Sequence, residues 1–206
     1  MEPYLRVLTM TLSLIFYLLS SAASPSPFPS PSPSSAPSDF IKRSCGSTRY
    51  PTLCVQSLSA YAPAIHDNPK HLAQAALAVS IKHARSAHAF VTRLSRAKGV
   101  RSREAGAVRD CVENMSDTVD QLTSSYRELG HAGLPESAEF PWHISNVQTW
   151  VSAALTDEST CMDGFAGSPV EGRLRNSVRA RIENAMQVTS NALALVNHVA
   201  PKDMQP

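Results

Sequence analysis

The chain has 206 residues, of which 43% are hydrophobic and 17% are charged, and its formal net charge at pH 7 is +2. So small a net charge argues against nucleic acid as the main partner, because proteins that bind nucleic acid are usually strongly basic. Lysine and arginine are scattered except in two runs, Arg93–Arg103 and Arg173–Arg181, which we interpret as solvated helix surface.

The N-terminal 38 residues predict a secretory leader followed by a linker. Residues 1–23 join a short polar start, an apolar run from Val7 to Leu19 and a small-residue cleavage site at Ala23. This pattern is typical of a signal peptide, and the run is too short for a membrane span; a signal anchor is the alternative. Residues 24–38 are nearly all serine and proline and predict an extended linker. We therefore expect a secreted, extracellular protein without membrane association after cleavage.

Residues 39–200 predict one helical domain, and residues 201–206 a short tail. Apolar residues recur at steps of three or four, the spacing of one buried helix face, in four successive segments. Residues 131–142 contain one glycine and two prolines and predict a loop. The predicted long helices begin at Pro69, Ser102, near Ile144 and at Pro169, and they end near Gly99, Gly130, Gly167 and Pro201.

Two short helices precede the long ones, one through Phe40 and Ile41 and one from Pro51 to Leu58. Short connections between long helices favour antiparallel neighbours. The predicted fold class is therefore all-α, an up-down-up-down four-helix bundle preceded by a short helical hairpin.

The four cysteines are Cys45, Cys54, Cys111 and Cys161. An even number of cysteines in a secreted chain predicts a disulfide framework. Four cysteines allow three pairings, and their spacing does not choose among them. Cys111 and Cys161 lie on the apolar stripes of the second and third long helices, so a bridge between them would tie these helices together.

Catalytic signatures are missing from the sequence. It contains no zinc-binding HExxH pattern, no GxSxG nucleophile turn and no phosphate-binding glycine loop. Of seven scattered histidines, His83 lies on an apolar stripe, where we expect a hydrogen-bonded core residue. We therefore predict no catalytic residue, no cofactor and no metal site, and a protein that is not an enzyme.

Acidic side chains cluster in two places on the predicted helices. A solvated acidic face is the plain interpretation, and a docking surface for a protein of complementary charge is the sharper one. The first group is Glu113, Asp117 and Asp120 on one helix face, and the second is Asp157, Glu158 and Asp163 around Cys161.

Two further features fall on the same helices. Asn114 opens an N-glycosylation sequon beside Glu113, and a glycan there would crowd the acidic face. Residues 148–156 are dense in small side chains, which let helices approach closely, and Trp150 among them is expected to be core or partly buried.

Three motifs in register carry a family resemblance. The first is Phe40-Ile41 with Cys45, Tyr50-Pro51 and Cys54; the second is residues 110–114 followed by Asp117 and Asp120; the third is residues 147–156 leading to residues 160–165. Together they resemble the plant invertase and pectin methylesterase inhibitor family over about residues 39–200.

The resemblance implies a fold, a disulfide pairing and a partner surface. The implied pairs are Cys45–Cys54 and Cys111–Cys161. Family members are inhibitors that form one-to-one complexes with cell-wall enzymes, and in the pectin methylesterase branch they cover the substrate cleft. The implied partner-binding residues here are Glu113, Asp117, Asp120 and Thr160.

One residue departs from the family pattern, and a separate segment indicates the branch of the family. Met115 stands where relatives often have an aromatic residue, so we expect altered affinity or partner choice. Residues 145–156 resemble the pectin methylesterase branch, and the Pro-Lys-Phe segment of invertase inhibitors is absent.

We therefore expect a secreted inhibitor of plant pectin methylesterase, located in the apoplast and cell wall. An inhibitor of acid invertase is the alternative. A pectin methylesterase pro-region and a small-molecule carrier with a cavity inside the bundle are weaker alternatives.

Overall fold

The computed structural model describes residues 37–97, 102–165 and 172–200. The predicted leader, most of the predicted linker, the predicted helix start at residues 168–171 and the tail lie outside the described residues. Residues 37 and 38, assigned from the sequence to the linker, instead begin a helix.

Helices account for most of the described chain, and no strand occurs in it. Three short helices, α1 to α3, are followed by four long ones, α4 to α7. The bounds are Pro37–Cys45 for α1, Pro51–Leu58 for α2, a 3-10 turn at Ser59–Tyr61, Ala62–Ile65 for α3, Pro69–Ser95 for α4, Ser102–His131 for α5, Phe140–Asp163 for α6 and Gly172–Val199 for α7.

Helix α4 begins where the sequence predicts, and its first turn shows why. The side-chain oxygen of Asn68 accepts hydrogen bonds from the backbone N–H groups of Lys70 and His71, at 2.9 and 3.1 Å. Pro69 occupies the first turn, where a helix has no use for the missing N–H. These contacts satisfy amides that would otherwise lack a partner at the helix start.

Helix α6 begins earlier than the sequence predicts. Residues 131–142 were expected to form a loop, but the helix starts at Phe140, with Pro141 in its first turn. Phe140 is fully buried and anchors this turn in the core. The proline that suggested a loop is tolerated here because the first-turn N–H groups need no intrahelical acceptor. The helix also ends at Asp163, before the predicted end near Gly167.

The four long helices form a bundle in which each packs against two others. Helix α5 lies between α4 and α6, and α7 packs against the same two helices. The pair α5–α6 is antiparallel, because Cys111 meets Cys161 near one end and Glu128 meets His143 near the other. The predicted all-α bundle is therefore confirmed, with a core of large aliphatic side chains such as Leu77, Leu122, Ile144, Ile182 and Leu195.

The disulfides join Cys45 to Cys54 and Cys111 to Cys161, the pairing that the family resemblance implies. The first links α1 to α2, and the second joins α5 to α6 with Cα atoms 4.4 Å apart. Asn191 of α7 holds the hairpin on the bundle: its side chain accepts from Tyr50 N–H and donates to Tyr50 C=O, both at 3.0 Å.

His83 is half-buried at the contact between α4 and α7. Its Nδ1 lies 2.6 Å from Asn184 Oδ1, so the ring nitrogen donates to the amide oxygen. This histidine therefore links two helices through a hydrogen bond.

Candidate docking surface on α5 and α6

The outward face of α5 carries an acidic row. Glu113, Asp117 and Asp120 are all exposed. They occur at steps of four and three, so they share one side of the helix. Cys111 and Met115 are fully buried on the opposite side. Burial of that side fixes the rotation of α5, which holds the three carboxylates toward solvent.

Helix α6, which packs against α5, presents an outward row of small hydroxyl residues. Thr160, the family-implied position, is exposed, and its hydroxyl donates to the backbone C=O of Thr156 at 2.8 Å. Thr149 and Thr156 donate in the same way one turn back along the helix. The exposed row is Ser145, Thr149, Ser152, Thr156 and Thr160.

Sequence reasoning assigned the small residues of this segment to close helix packing and missed the outward row. The signal was available, because the row runs out of phase with the buried Val147, Val151 and Ala154. Short side chains bonded to their own helix leave a flat surface, and the hydroxyl oxygens keep lone pairs as acceptors. Such a surface can take close contact with a partner at small cost in side-chain entropy.

The contact between α5 and α6 brings one carboxylate of each acidic group, Asp117 and Asp157, near each other. Gln121 of α5 donates through Nε2 to Asp157 Oδ2 of α6, at 2.9 Å. Burial raises the pKa of Asp157, the Gln121 hydrogen bond opposes this, and the nearby charge of Asp117 raises the pKa further. Asp117 and Asp157 therefore contribute to one negative surface across the two helices.

Glu158 does not belong to that surface, although the sequence grouped it with the solvated carboxylates. It is fully buried, and Thr189 of α7 donates to its Oε1 at 3.1 Å. Burial raises its pKa to about 8. The residue is in phase with buried Val151, Ala154 and Cys161, and this spacing could have revealed it.

The exposed tryptophan of α6 is not the one that the sequence singled out. Trp150 is half-buried, as expected, whereas Trp142 in the first turn of α6 is 63% exposed. Its ring lies edge-on to His143, with centroids 5.0 Å apart. His143 and Asn146 both donate to Glu128 Oε1 at 2.9 Å, which fixes this end of α6 on α5.

Two other residues of α5 were singled out from the sequence. Asn114 is half-buried in the middle of the helix, and its backbone C=O accepts from the Thr118 hydroxyl at 2.8 Å. Its glycosylation stays a prediction. Met115 is fully buried, so any effect on affinity must act through the packing of α5 and not by direct contact.

The described residues contain no group of three or more His, Cys, Asp or Glu side chains able to hold a metal ion. A cleft lined by Met162, Phe165 and Val178 has a volume of about 100 Å³, well below the size usual for small-molecule sites. A larger depression of about 450 Å³, which includes Arg181 and Asn184, is open to solvent.

The described residues thus form a disulfide-bonded helical bundle with an exposed polar face on α5 and α6. Comparison with known proteins identifies the family. Residues 39–195 match the family model for plant invertase/pectin methylesterase inhibitors. The chain therefore belongs to this family.

Individual relatives agree across most of their lengths. The "21 kDa protein" of Daucus carota is 48% identical, over 82% of this chain and 88% of its own. Pectinesterase inhibitor 11 of Arabidopsis thaliana is 47% identical, over 92% of this chain and 96% of its own. These relatives place the chain in the pectinesterase inhibitor branch of the family.

Solved structures resemble the fold as well. A mutant form of a pectin methylesterase inhibitor from Arabidopsis superposes with a TM-score of 0.60, covering 79% of this chain and 94% of its own. Its sequence is 20% identical, so this likeness bears on the fold alone.

Proposed function

We propose that this protein is a secreted inhibitor of plant pectin methylesterase. Membership in the family makes it an inhibitor protein and not an enzyme. Relatives that match along most of their length are named as pectinesterase inhibitors, and this observation carries the proposal. Because the family includes invertase inhibitors, an inhibitor of acid invertase is the alternative. It has less support, since these relatives are named as pectinesterase inhibitors.

The mechanism we propose is steric occlusion in a one-to-one complex. The docking surface would consist of the acidic row of α5 and the hydroxyl row of α6, with Thr160 at its end. Both rows stand on helices joined by the Cys111–Cys161 disulfide and by the Gln121–Asp157 hydrogen bond. A rigid face loses little entropy on binding, so it can fill a cleft without rearranging.

Packing and charge would have different roles in this complex. The flat hydroxyl row allows close approach and direct hydrogen bonds, which contribute most of the affinity. Glu113, Asp117 and Asp120 would orient the inhibitor on an enzyme surface of opposite charge and speed association. Trp142 lies in the first turn of α6, the helix that carries the hydroxyl row, and offers an apolar anchor of the type that dominates many interfaces.

The proposed location is the apoplast and cell wall, where the partner's substrate occurs. Support comes from the predicted leader and from the disulfides, which persist in oxidising compartments. Among the described residues, no helix combines the length and the hydrophobicity that a membrane span requires.

A two-enzyme titration tests the proposal. The oxidised mature chain is added to a plant pectin methylesterase and, separately, to a plant acid invertase, at mildly acidic pH. We expect stoichiometric loss of methylesterase activity and unchanged invertase activity. The opposite selectivity would move the protein to the invertase branch and remove the roles given to Asp117, Asp120 and Thr160.

A further inference from the structure

Charge is divided between the two halves of the bundle. Helices α4 and α7, which pack against each other, carry eight lysines and arginines and one carboxylate. Helices α5 and α6, which form the other half, carry three such cations and nine carboxylates. The net charge of +2 is small because the charges of a basic half and an acidic half largely cancel. The docking surface proposed above belongs to the acidic half.

Three of the four cations of α4 lie on one side of the helix, its outward face. Lys82, Arg85 and Arg93 are exposed, and their positions fall within a sector of about 80° around the helix axis. Lys82 and Arg93 are separated by about 17 Å of helix. The row of three cations is thus long and narrow, as a site for an extended chain would be.

Helix α7 adds a cation at the junction with α4. Arg181 is exposed, and its guanidinium lies 4.2 Å from the centroid of the Phe90 ring on α4. Stacking holds the planar group in place while its N–H edge can still donate. Among the described residues, none of Lys82, Arg85, Arg93 and Arg181 is within ion-pair distance of a carboxylate.

We propose that the outward face formed by Lys82, Arg85, Arg93 and Arg181, the α4–α7 face, binds an extended polymer of carboxylate-bearing sugars. The polymer is the de-esterified galacturonan that pectin methylesterase produces; this choice of polymer rests on the proposed function. The enzyme's reaction converts each methyl ester and a water into a carboxylate, methanol and a proton. Its product is therefore an anion of increasing charge, whereas the fully esterified substrate is neutral.

Two observations favour an acidic polysaccharide over a protein as the occupant. The large hydrophobic side chains that are exposed in the described chain, Tyr126, Leu134 and Trp142, all lie on α5, α6 or their connection. The α4–α7 face thus lacks the exposed aromatic anchors that dominate protein interfaces. The open depression beside Arg181 is lined by Ser177, Ala180 and Asn184, small and polar groups that suit a hydroxyl-rich chain.

The division of charge also determines the orientation of the bound inhibitor. A polyanion is attracted to the α4–α7 face and repelled by the acidic half. An enzyme bound on α5 and α6 would leave the α4–α7 face free. The inhibitor could therefore remain on the product polymer while bound to the enzyme, which raises its effective concentration where de-esterification has occurred.

The test compares two double variants with the same change in net charge. The mature oxidised chain is titrated with polygalacturonate at pH 5 and about 0.05 M salt, where screening between exposed charges is weak. Lys82→Gln with Arg93→Gln removes two cations from the α4–α7 face. Arg109→Gln with Arg127→Gln removes two exposed cations from α5 and serves as the control.

We expect the wild type to bind polygalacturonate, with affinity that falls as salt is added, and not to bind fully methylesterified pectin. The α4 variant should bind roughly fivefold more weakly, as the loss of two exposed charge contacts predicts. The α5 control should bind nearly as tightly as the wild type.

Three results would overturn the proposal: no binding of polygalacturonate by the wild type, equal binding of the methylesterified polymer, or equal loss of affinity in both variants. Enzyme binding is measured separately by calorimetry without any polymer, where the α4 variant should match the wild type. Polymer binding that depends on the α4–α7 face without enzyme binding would remove the proposed function but not the polyanion site.

Discussion

Thr189 donates a hydrogen bond to the buried carboxyl of Glu158 across the contact between α7 and α6, at 3.1 Å. Glu158 Oε2 has no hydrogen-bond partner within the described part of the chain. Burial raises the pKa of this carboxyl to about 8, the Thr189 hydrogen bond opposes the rise, and the charge of Asp157 adds to it. The carboxyl is therefore neutral in an acidic medium, which makes its place in the core tolerable.

Glu158 should make the protein less stable as the pH rises. Between the ordinary glutamate pKa of 4.5 and about 8, the unfolded chain loses this proton while the folded chain keeps it. The free energy of unfolding is therefore highest below pH 4.5 and decreases as the pH rises across this range. The decrease approaches about 1.4 kcal/mol per pH unit. Glu158→Gln retains an acceptor for Thr189 but cannot ionise. Its free energy of unfolding, measured with urea from pH 5 to 8, should lack this slope.

The exposed Glu183 of α7 supplies the control for that measurement. Glu183→Gln removes a carboxylate from the same helix as Thr189 without touching the core, so it should keep the wild-type slope. If Glu158→Gln and the wild type gave parallel curves, the raised pKa of Glu158 would be wrong.

Glu128 should affect stability at the acidic end of the pH range. Hydrogen bonds from Asn146 and His143 lower the pKa of this carboxyl, with the Asn146 bond as the larger cause and burial acting against both. A lowered pKa contributes stability above the ordinary value of 4.5, and this is lost as the pH falls through the folded pKa. The Glu128→Gln variant should therefore be less stable than the wild type at pH 5. On acidification to pH 3 it should lose less stability than the wild type does, as measured by thermal unfolding. A wild-type acid response in this variant would contradict the assignment.

The Cys111–Cys161 disulfide should contribute more stability than Cys45–Cys54. Its sequence separation is 50 residues against 9, so it restricts the unfolded chain more strongly. The loop-entropy model gives about 4 kcal/mol for the longer loop and about 3 kcal/mol for the shorter one. Replacing each pair with alanines and measuring chemical unfolding tests this order.

The same disulfide should also affect inhibition. Inhibition should fall with Cys111→Ala and Cys161→Ala, because these residues hold α5 to α6. A fully active variant would refute this.

The sequence predicts the bundle well because its information is local and periodic. A cap such as Asn68 with Pro69, or an apolar stripe, acts within a few turns of one helix. The error at Phe140 has the same local origin: Pro141 is compatible with both a loop and a first turn, and only the burial of Phe140 decides between them.

The candidate surface is less predictable, because it depends on how two helices meet. The exposure of Glu113, Asp117 and Asp120 follows from the phase of α5 alone. Whether Glu158 faces solvent or α7 depends on a neighbour far away in sequence, and its phase with the buried stripe was the one available sign. Division of charge between the halves likewise appears only when it is known that α4 packs on α7.

Asn191 should determine how firmly the N-terminal hairpin is held on the bundle. Its side chain makes two hydrogen bonds to the backbone of Tyr50, and Asn191 itself is buried. Asn191→Ala leaves both backbone groups of Tyr50 without these partners, at a cost of about 2 kcal/mol. Limited proteolysis should then cleave residues 37–65 faster. The exposed Asn176→Ala on the same helix is the control, and equal cleavage rates in both variants would show that Asn191 does not hold the hairpin.

The acidic row of α5 should set the rate at which the inhibitor reaches its enzyme. Asp117→Ala with Asp120→Ala removes two exposed charges without disturbing the core, so the unfolding curve should change little. The inhibition constant for pectin methylesterase should rise roughly tenfold, mainly through slower association that depends less on salt. Glu136→Ala with Glu183→Ala changes the net charge equally at exposed sites outside the α5 and α6 rows. If this control variant lost as much inhibition as the α5 variant, net charge and not the acidic row would be responsible.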